Sequence, residues 1–186
     1  MTFAELLKKN EEAIAKRWLD DVLSTYSDKA SVTFKKEKDP FANPVGNSLR
    51  LGTQGICEVL FGEGAIAANE AEEIVDERIH GYLCEIVKIR AVQEFSASQA
   101  LGFVFQLKKS VRGALGRTAR DASFAADLGK LDDAVDHIAL AAFDIFAQYR
   151  EQVFELRVNE VKRRVSWVVE KLNKRQGEEP APADTE

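Results

Sequence analysis

The chain has 186 residues, of which 45% are hydrophobic and 31% charged, with a net charge of −5. This composition suits one domain with a real core and a soluble surface. No apolar run approaches the roughly 18–20 residues that cross a bilayer, and the opening MTFAELLKKNEE lacks the apolar core of a signal peptide. We therefore expect a cytoplasmic protein with no membrane partner.

Four prolines and long gaps between glycines predict an all-α fold. The first helix opens at a capping box of Thr2 and Glu5 and is predicted to run to about Tyr26. Its apolar stripe recurs at helical spacing: Phe3, Leu6, Leu7, Ile14, Trp18, Val22 and Leu23. The polar segment that follows, SDKASVTFKKEKDPFANP, is predicted to be a connection, with Phe34 and Phe41 holding it to the body.

The next helix begins where Asn43 supplies an N-cap and Pro44 occupies the first helical position. It is predicted to run to about Phe61. Gly52 and Gly55 lie inside it and indicate the close approach of a neighbouring backbone.

A turn is predicted at 61–64, and a helix is expected to resume around Asn69 and reach a serine hinge. Ser96 and Gln99 form a second capping box at that hinge. Apolar positions at helical spacing precede the hinge, with one basic residue among them: Ile79, Leu83, Ile86 or Val87, and Arg90. The helix after the hinge repeats the pattern: Ala100, Val104, Leu107, Val111 and Leu115.

The polar residues at the hinge, Arg90, Gln93 and Gln99, are the predicted ligand-binding or partner-binding residues. The alternative is that they only cap and bury the hinge. The stretch from Lys88 to Arg120 also carries seven Lys or Arg against one acid, a net of +6. It indicates an anion or an acidic partner, unless the basic side chains simply form a solvated face whose stems cover apolar surface.

Breaks are predicted at Asp121–Ser123, and beyond them 130–176 contains no glycine or proline. One helix of that length is about 70 Å long, whereas a compact globule of this size is about 40 Å across, so the helix is expected to leave the body. Its first half has a broad apolar face for packing within a domain: Leu131, Val135, Ile138, Ala142, Phe146 and Tyr149.

The second half of that helix narrows to a seam with alternating four- and three-residue steps. We name these residues the seam: Phe154, Val158, Val161, Val165, Val168 and Leu172. This is the a/d pattern of a coiled coil, which predicts a homodimer. The predicted organisation is a helical domain over 1–152, a coiled-coil extension over 153–176, and a disordered acidic tail over 177–186.

Three segments resemble the N-terminal sensory domains of RsbR and RsbRD proteins, the RsbT co-antagonists of the bacterial stressosome: DPFANPVG, IVKIRAVQEFSASQALGFVFQLK and LAAFDIFAQYREQVFELRVNEVKRR. The resemblance covers about 3–172. The middle segment carries the most specific pattern: Arg90, Ala91, Val92, Gln93, Ser96, Ser98, Gln99, Ala100, Phe105, Leu107 and Lys108.

The resemblance implies a globin-like helical fold that binds no haem, dimerises, and carries a regulatory rather than enzymatic role. In the family the last helix leads to a phosphorylated STAS domain. Here ten acidic, proline-containing residues follow Gln176, so a stand-alone version is expected and no phosphorylated threonine is carried over.

The sequence also contains weaker candidates for other functions. His137, on an apolar helix, superficially suits haem, and Glu77 with His80 forms an ExxH spacing that, with Asp133 and His137, resembles half of a di-iron site. No catalytic motif occurs, and the overall acidity disfavours nucleic acid. We therefore predict a non-enzymatic, dimeric sensor or adaptor without a cofactor, acting with an unidentified regulatory protein; the alternative is a helical metal-binding protein.

Overall fold

A computed structural model describes residues 1–37, 39–62, 77–93 and 95–177, with side chains to residue 174. Six α-helices lie in these ranges: α1 (Phe3–Leu23), α2 (Asp28–Lys36), α3 (Pro44–Leu60), α4 (Glu77–Val92), α5 (Ala97–Leu115) and α6 (Ala125–Gly177). Two 3-10 turns, Thr118–Arg120 and Ala122–Phe124, precede α6. Because the described ranges contain helices and no strand, the all-α prediction is confirmed.

The predicted helix starts are confirmed by the hydrogen bonds of their caps. Glu5 N–H donates to the Thr2 hydroxyl, and Thr2 N–H donates to the Glu5 carboxylate, which together complete the capping box of α1. Asn43 Oδ1 accepts from Gly46 N–H at the start of α3. Such caps satisfy donors that the first turn of a helix leaves unpaired.

The prediction of a polar connection after α1 is wrong for 28–36, which form α2. This short helix buries none of its residues fully, so it has no apolar stripe to reveal it. Asp28 in its first turn and Lys35 and Lys36 in its last turn match the helix dipole. Phe34 holds α2 to the body, since its ring meets the Tyr26 ring edge-on at 5.4 Å between centroids.

Phe41 does not hold the chain to the body as predicted, because its side chain is 95% exposed. Its N–H donates to the Asp39 carboxylate in a local turn. The anchor of this segment is Asn43, whose side-chain amide donates to the carbonyls of Phe34 and Glu37 at 3.0 and 2.8 Å. One buried amide thereby ties the end of α2 to the start of α3.

The two glycines of α3 allow α4 to pack closely against it. A Cβ at Gly52 would lie 2.6 Å from Ile86 Cδ1, and a Cβ at Gly55 would overlap the Tyr82 ring. The groups that approach most closely are therefore side chains of α4 rather than its backbone, which corrects the expectation for these positions.

The core joins α1, α3, α4, α5 and the first part of α6. Trp18 is fully buried, stacks on Phe103 with centroids 6.1 Å apart, and donates from Nε1 to the Phe103 carbonyl at 2.7 Å. The predicted apolar stripes of α1 and α5 are buried throughout. The expected helix restart near Asn69 and the acidic tail beyond 177 lie outside the described residues, as do 63–64 of the turn predicted at 61–64.

The long last helix is present and begins at Ala125, earlier than predicted, so Gly129 lies within it. By its internal contacts the chain divides into two compact units, Met1–Tyr149 and Arg150–Glu186. Within the first unit, the predicted broad face of α6 is buried, with Tyr149 partly buried. None of the described helices is both long enough and apolar enough to span a bilayer.

Candidate functional site

Arg90 is fully buried, although it carries a charge and lies on the same face of α4 as Ile79, Leu83 and Ile86. The helical period that buries those residues also buries the arginine. A guanidinium remains protonated at every ordinary pH, and burying a charge is expensive unless other groups solvate it. The surroundings of Arg90 must therefore replace water.

Backbone and hydroxyl oxygens provide part of that solvation. Nη1 donates to the carbonyls of Gln99 at 3.1 Å and Ala100 at 3.3 Å. Nη2 donates to the Thr25 hydroxyl at 2.8 Å and to the Val22 carbonyl at 3.5 Å. Arg90 thus links α4 to the C-terminal end of α1 and to the first turn of α5.

Three aromatic rings provide the rest of the solvation of the Arg90 guanidinium. The guanidinium carbon lies 5.1 Å from the centroid of Tyr26, 5.4 Å from that of Phe95 and 5.2 Å from that of Phe103. Cation–π attraction acts at these distances and strengthens when water is excluded. The arginine is therefore held in an aromatic cage, with no carboxylate bonded to it among the described residues.

The titration behaviour of the cage agrees with its geometry. Burial lowers the pKa of Arg90, and the neighbouring Tyr26 partly opposes that shift. Burial raises the pKa of Tyr26, and the charge of Arg90 opposes it. Tyr26 therefore stays neutral at physiological pH, and the site carries one positive charge.

The two predicted glutamines lie at the same hinge but use different atoms. Gln99 contacts Arg90 through its backbone carbonyl, while its side-chain oxygen accepts from Ser96 N–H in the predicted capping box. Gln93 is partly buried. Its Oε1, Arg90 Nε and the Tyr26 hydroxyl are buried without a hydrogen-bond partner in the described part of the chain.

Sequence reasoning missed four of the partners of Arg90: Thr25, Tyr26, Phe95 and Phe103. Thr25 and Tyr26 follow the end of α1, more than 60 residues away along the chain. One signal was present: an arginine on an apolar helix face without an acid on that face needs oxygens and rings from other elements. The pattern does not say which elements provide them.

The seam lies in the second unit, and its side chains are exposed. The exposed fractions are 66% for Phe154, 59% for Val161, 55% for Val165, 46% for Val168 and 53% for Leu172. Val158 is partly exposed. A row of apolar residues at coiled-coil spacing is therefore uncovered in the single chain.

The first unit has an apolar surface groove of its own between α5 and α6, with a volume of about 590 Å³. Its apolar lining includes Leu101, Phe105, Leu140 and Phe143, and the last three are about half exposed or more. Single exposed apolar residues are ordinary on protein surfaces, whereas a contiguous group is not.

The two histidines of the metal alternative have ordinary partners. His80 Nδ1 lies 3.6 Å from Cys84 Sγ, and His137 Nδ1 lies 2.8 Å from the Asp133 carbonyl oxygen. Within the described ranges, no three His, Cys, Asp or Glu side chains gather as a metal site would require. The structure therefore gives no support to a site built on Glu77.

Comparison with known proteins gives one match. The model of the RsbT co-antagonist protein rsbRD N-terminal domain matches residues 12–161, which is more than half of the chain. No curated protein and no solved structure matches. The matched range includes the Arg90 cage, the hinge and the beginning of the seam, and the chain belongs to the RsbRD N-terminal domain family.

Proposed function

We propose that this protein is a non-enzymatic regulatory sensor or adaptor of the RsbR type, acting in the cytoplasm as a homodimer with a regulatory protein partner. The observation that carries the proposal is the family match over residues 12–161, because that family consists of regulatory domains. In this proposal 1–152 form the sensory domain and 153–176 pair with a second copy.

The exposed seam supports the homodimer. Val158, Val161 and Val165 repeat at a/d spacing, and burying such residues against a second helix removes apolar surface from water. Burying one valine contributes roughly 1.5–3 kcal/mol relative to leaving it exposed. Two identical seams can cover each other without a third component.

Charges beside the seam favour a parallel pair. Arg157, Arg164 and Lys171 occupy equivalent positions at seven-residue intervals, the g positions of the heptad. An antiparallel pair would align this basic row with its own copy, whereas a parallel pair places it opposite the e positions Lys162, Val169 and Gln176, of which only Lys162 is basic. Parallel pairing therefore reduces like-charge repulsion.

The Arg90 cage supports a sensory role for the first unit. The cage connects α1, α4 and α5, and the Arg90 guanidinium is solvated by contacts from all of them. A shift of any one helix would therefore change the solvation of that charge. An effector transmits a signal only if it binds two states of the protein with different affinity. We propose the hinge around Arg90, Gln93 and Gln99 as the element that differs between those states.

Sedimentation velocity tests the homodimer. We expect the wild-type protein to sediment at twice the chain mass of 20.7 kDa, and Val161→Glu with Val165→Glu to sediment as a monomer. Asn159→Glu with Ser166→Glu is the matched control, because it adds the same charge to the same helix at outward positions. The seam assignment is wrong if the Val161/Val165 variant remains dimeric.

A second variant tests whether the groove between α5 and α6 contributes to the dimer in addition to the seam. Leu140→Glu with Phe143→Glu places charges in the groove between α5 and α6 and leaves the seam intact. A dimer that survives this change depends on the coil alone, whereas a dimer that dissociates also depends on the first unit. Circular dichroism of both variants verifies that the helices remain folded.

A further inference from the structure

Three arginines surround a cavity of about 720 Å³ at the C-terminal end of α5. The residues that line it are Arg112, Gly113, Gly116, Arg117, Ala119 and Arg120. All belong to the first unit, and none belongs to the Arg90 cage or to the seam. The cavity is therefore independent of the proposed function.

Two glycines build the cavity. Gly116 has φ of 58°, a left-handed conformation that ends α5 and turns the chain into the 3-10 turn that carries Arg120. Gly113 leaves room for Arg17 of α1, because a Cβ at Gly113 would lie 2.6 Å from Arg17 Nε. Arg17 does not line the cavity, whose three guanidinium groups are those of Arg112, Arg117 and Arg120.

Only one of the three arginines has a carboxylate partner in the described part of the chain. Arg112 forms a two-pronged pair with Asp132, with N–O distances of 2.9 and 2.6 Å, and also donates to the Lys108 carbonyl. The side chains of Arg117 and Arg120 have no ion pair or hydrogen bond to any described residue. The pair with Asp132 and the position of Arg112 in the last turn of α5 account for Arg112, but they leave the other two arginines without a role.

The nearest acid in sequence is already engaged. Asp121 accepts from the N–H and the hydroxyl of Ser123, and these hydrogen bonds lower its pKa. The three lining arginines against the carboxylates of Asp121 and Asp132 leave a formal net charge of +1. This local excess occurs in a chain whose overall net charge is −5.

We propose that this cavity binds the phosphate groups of a small phosphorylated ligand. A guanidinium presents its donors in a planar fork that matches two phosphate oxygens, and such charge-assisted bonds are stronger than neutral ones. The cavity volume lies within the 300–1,000 Å³ range of small-molecule sites. The positive excess attracts a phosphate, and Arg117 and Arg120 have guanidinium donors that no described carboxylate occupies.

An acidic protein segment fits this surface less well. Protein interfaces depend on buried aromatic or aliphatic anchors at their centre. Among the described residues of the lining, Ala119 is the single apolar side chain, and the others are arginines and glycines. These residues thus offer charge and donors but no anchor for a peptide.

Calorimetric titration with inorganic tripolyphosphate at low ionic strength tests the proposal. We expect one binding site per chain, and Arg117→Gln with Arg120→Gln to weaken the affinity at least about tenfold, because two charge-assisted contacts are lost. Both side chains are exposed, so the fold is expected to persist. Arg163→Gln with Arg164→Gln on α6 removes the same charge elsewhere and is expected to change the affinity less than about twofold.

Three results overturn the proposal. The first is an absence of tripolyphosphate binding to the wild-type protein. The second is an equal loss in the Arg117/Arg120 variant and the Arg163/Arg164 control, which would mean general charge attraction. The third is a short polyglutamate peptide binding as tightly as tripolyphosphate, which would assign the surface to an acidic protein. None of these outcomes bears on dimerisation.

Discussion

Arg90 shows how a single residue connects several helices. Its four donated hydrogen bonds end on residues of α5 and of the α1 C-terminal region, and its three ring contacts surround the same guanidinium. Carbonyl oxygens and ring faces take the place of a carboxylate. The stabilisation of a buried cation by such groups depends on the geometry of its hydrogen-bond donors as well as on its charge.

Arg90→Lys is therefore expected to be strongly destabilising although it conserves the charge. A lysine ammonium has no planar fork and cannot reproduce both pairs of bonds, so we expect the free energy of unfolding to fall by about 2–3 kcal/mol. Urea unfolding followed by circular dichroism measures this, at one fixed protein concentration. Lys88→Ala, at an exposed position on the same helix, should change stability by less than about 0.5 kcal/mol. An equally small effect of Arg90→Lys would contradict the role assigned to the cage.

The two cysteines are predicted to differ in reactivity. Cys57 is fully buried, and burial raises the pKa of its thiol far above the ordinary range. Cys84 is partly exposed, and its thiol pKa is raised less strongly, mainly by burial. A thiol reagent at pH 8 should therefore modify Cys84 alone in the native protein and Cys57 only after unfolding. Modification of native Cys84→Ser at a similar rate would show that Cys57 is accessible.

At the scale of helices, the contact between α3 and α4 depends on the absence of a side chain at Gly55. We expect Gly55→Ala to lower the free energy of unfolding by about 1–3 kcal/mol, because the new methyl group would overlap the Tyr82 ring in a packed interface. Gly129→Ala is the matched control, since its Cβ meets no described atom within 4 Å. It should be neutral or stabilise the protein by up to about 1 kcal/mol. Thermal unfolding distinguishes the two, and equal effects would contradict the close packing.

Features that depend on residues close together in the chain could be predicted from the sequence. The capping boxes at Thr2 and Ser96 depend on residues three positions apart, and the apolar stripes depend on one helical period. Helix α2 was missed because it is short and buries no residue fully, so its sequence looks like that of a loop. Its position depends instead on Phe34 and Asn43, whose contacts form only in the folded protein.

The candidate site could be predicted only in part for the same reason. The inward direction of Arg90 followed from the period of α4, but its contacts with Thr25 and Tyr26 bridge distant parts of the chain. The basic excess from Lys88 to Arg120 was visible in the sequence. The structure was needed to show which of these basic residues have acidic partners. Lys108 pairs with Asp136 and Arg112 with Asp132, whereas the arginines that follow Gly116 have no carboxylate partner among the described residues.

At the scale of the whole molecule, the two units differ in how much of their apolar surface is exposed to solvent. The first unit encloses a core that includes Trp18 and the buried guanidinium of Arg90. The second unit leaves its apolar residues exposed. In the proposed dimer a second copy of the chain covers the seam, and this pairing is the central claim of the proposed function.

Disulfide cross-linking tests that claim most directly. In a Cys84→Ser background, Val158→Cys and Leu172→Cys each place one thiol at an a position of the seam. A parallel pair brings each thiol close to its own copy, so both variants should form covalent dimers under mild oxidation. Ser166→Cys, at an outward position, should form them much more slowly.

An antiparallel pair gives a different result. Neither single variant would cross-link efficiently, whereas a mixture of Val158→Cys and Val168→Cys chains would, because an antiparallel coil places a positions opposite d positions. That result would contradict the parallel arrangement, and an absence of cross-linking in every combination would contradict pairing through the seam. Efficient dimers from both single variants are the result that we predict.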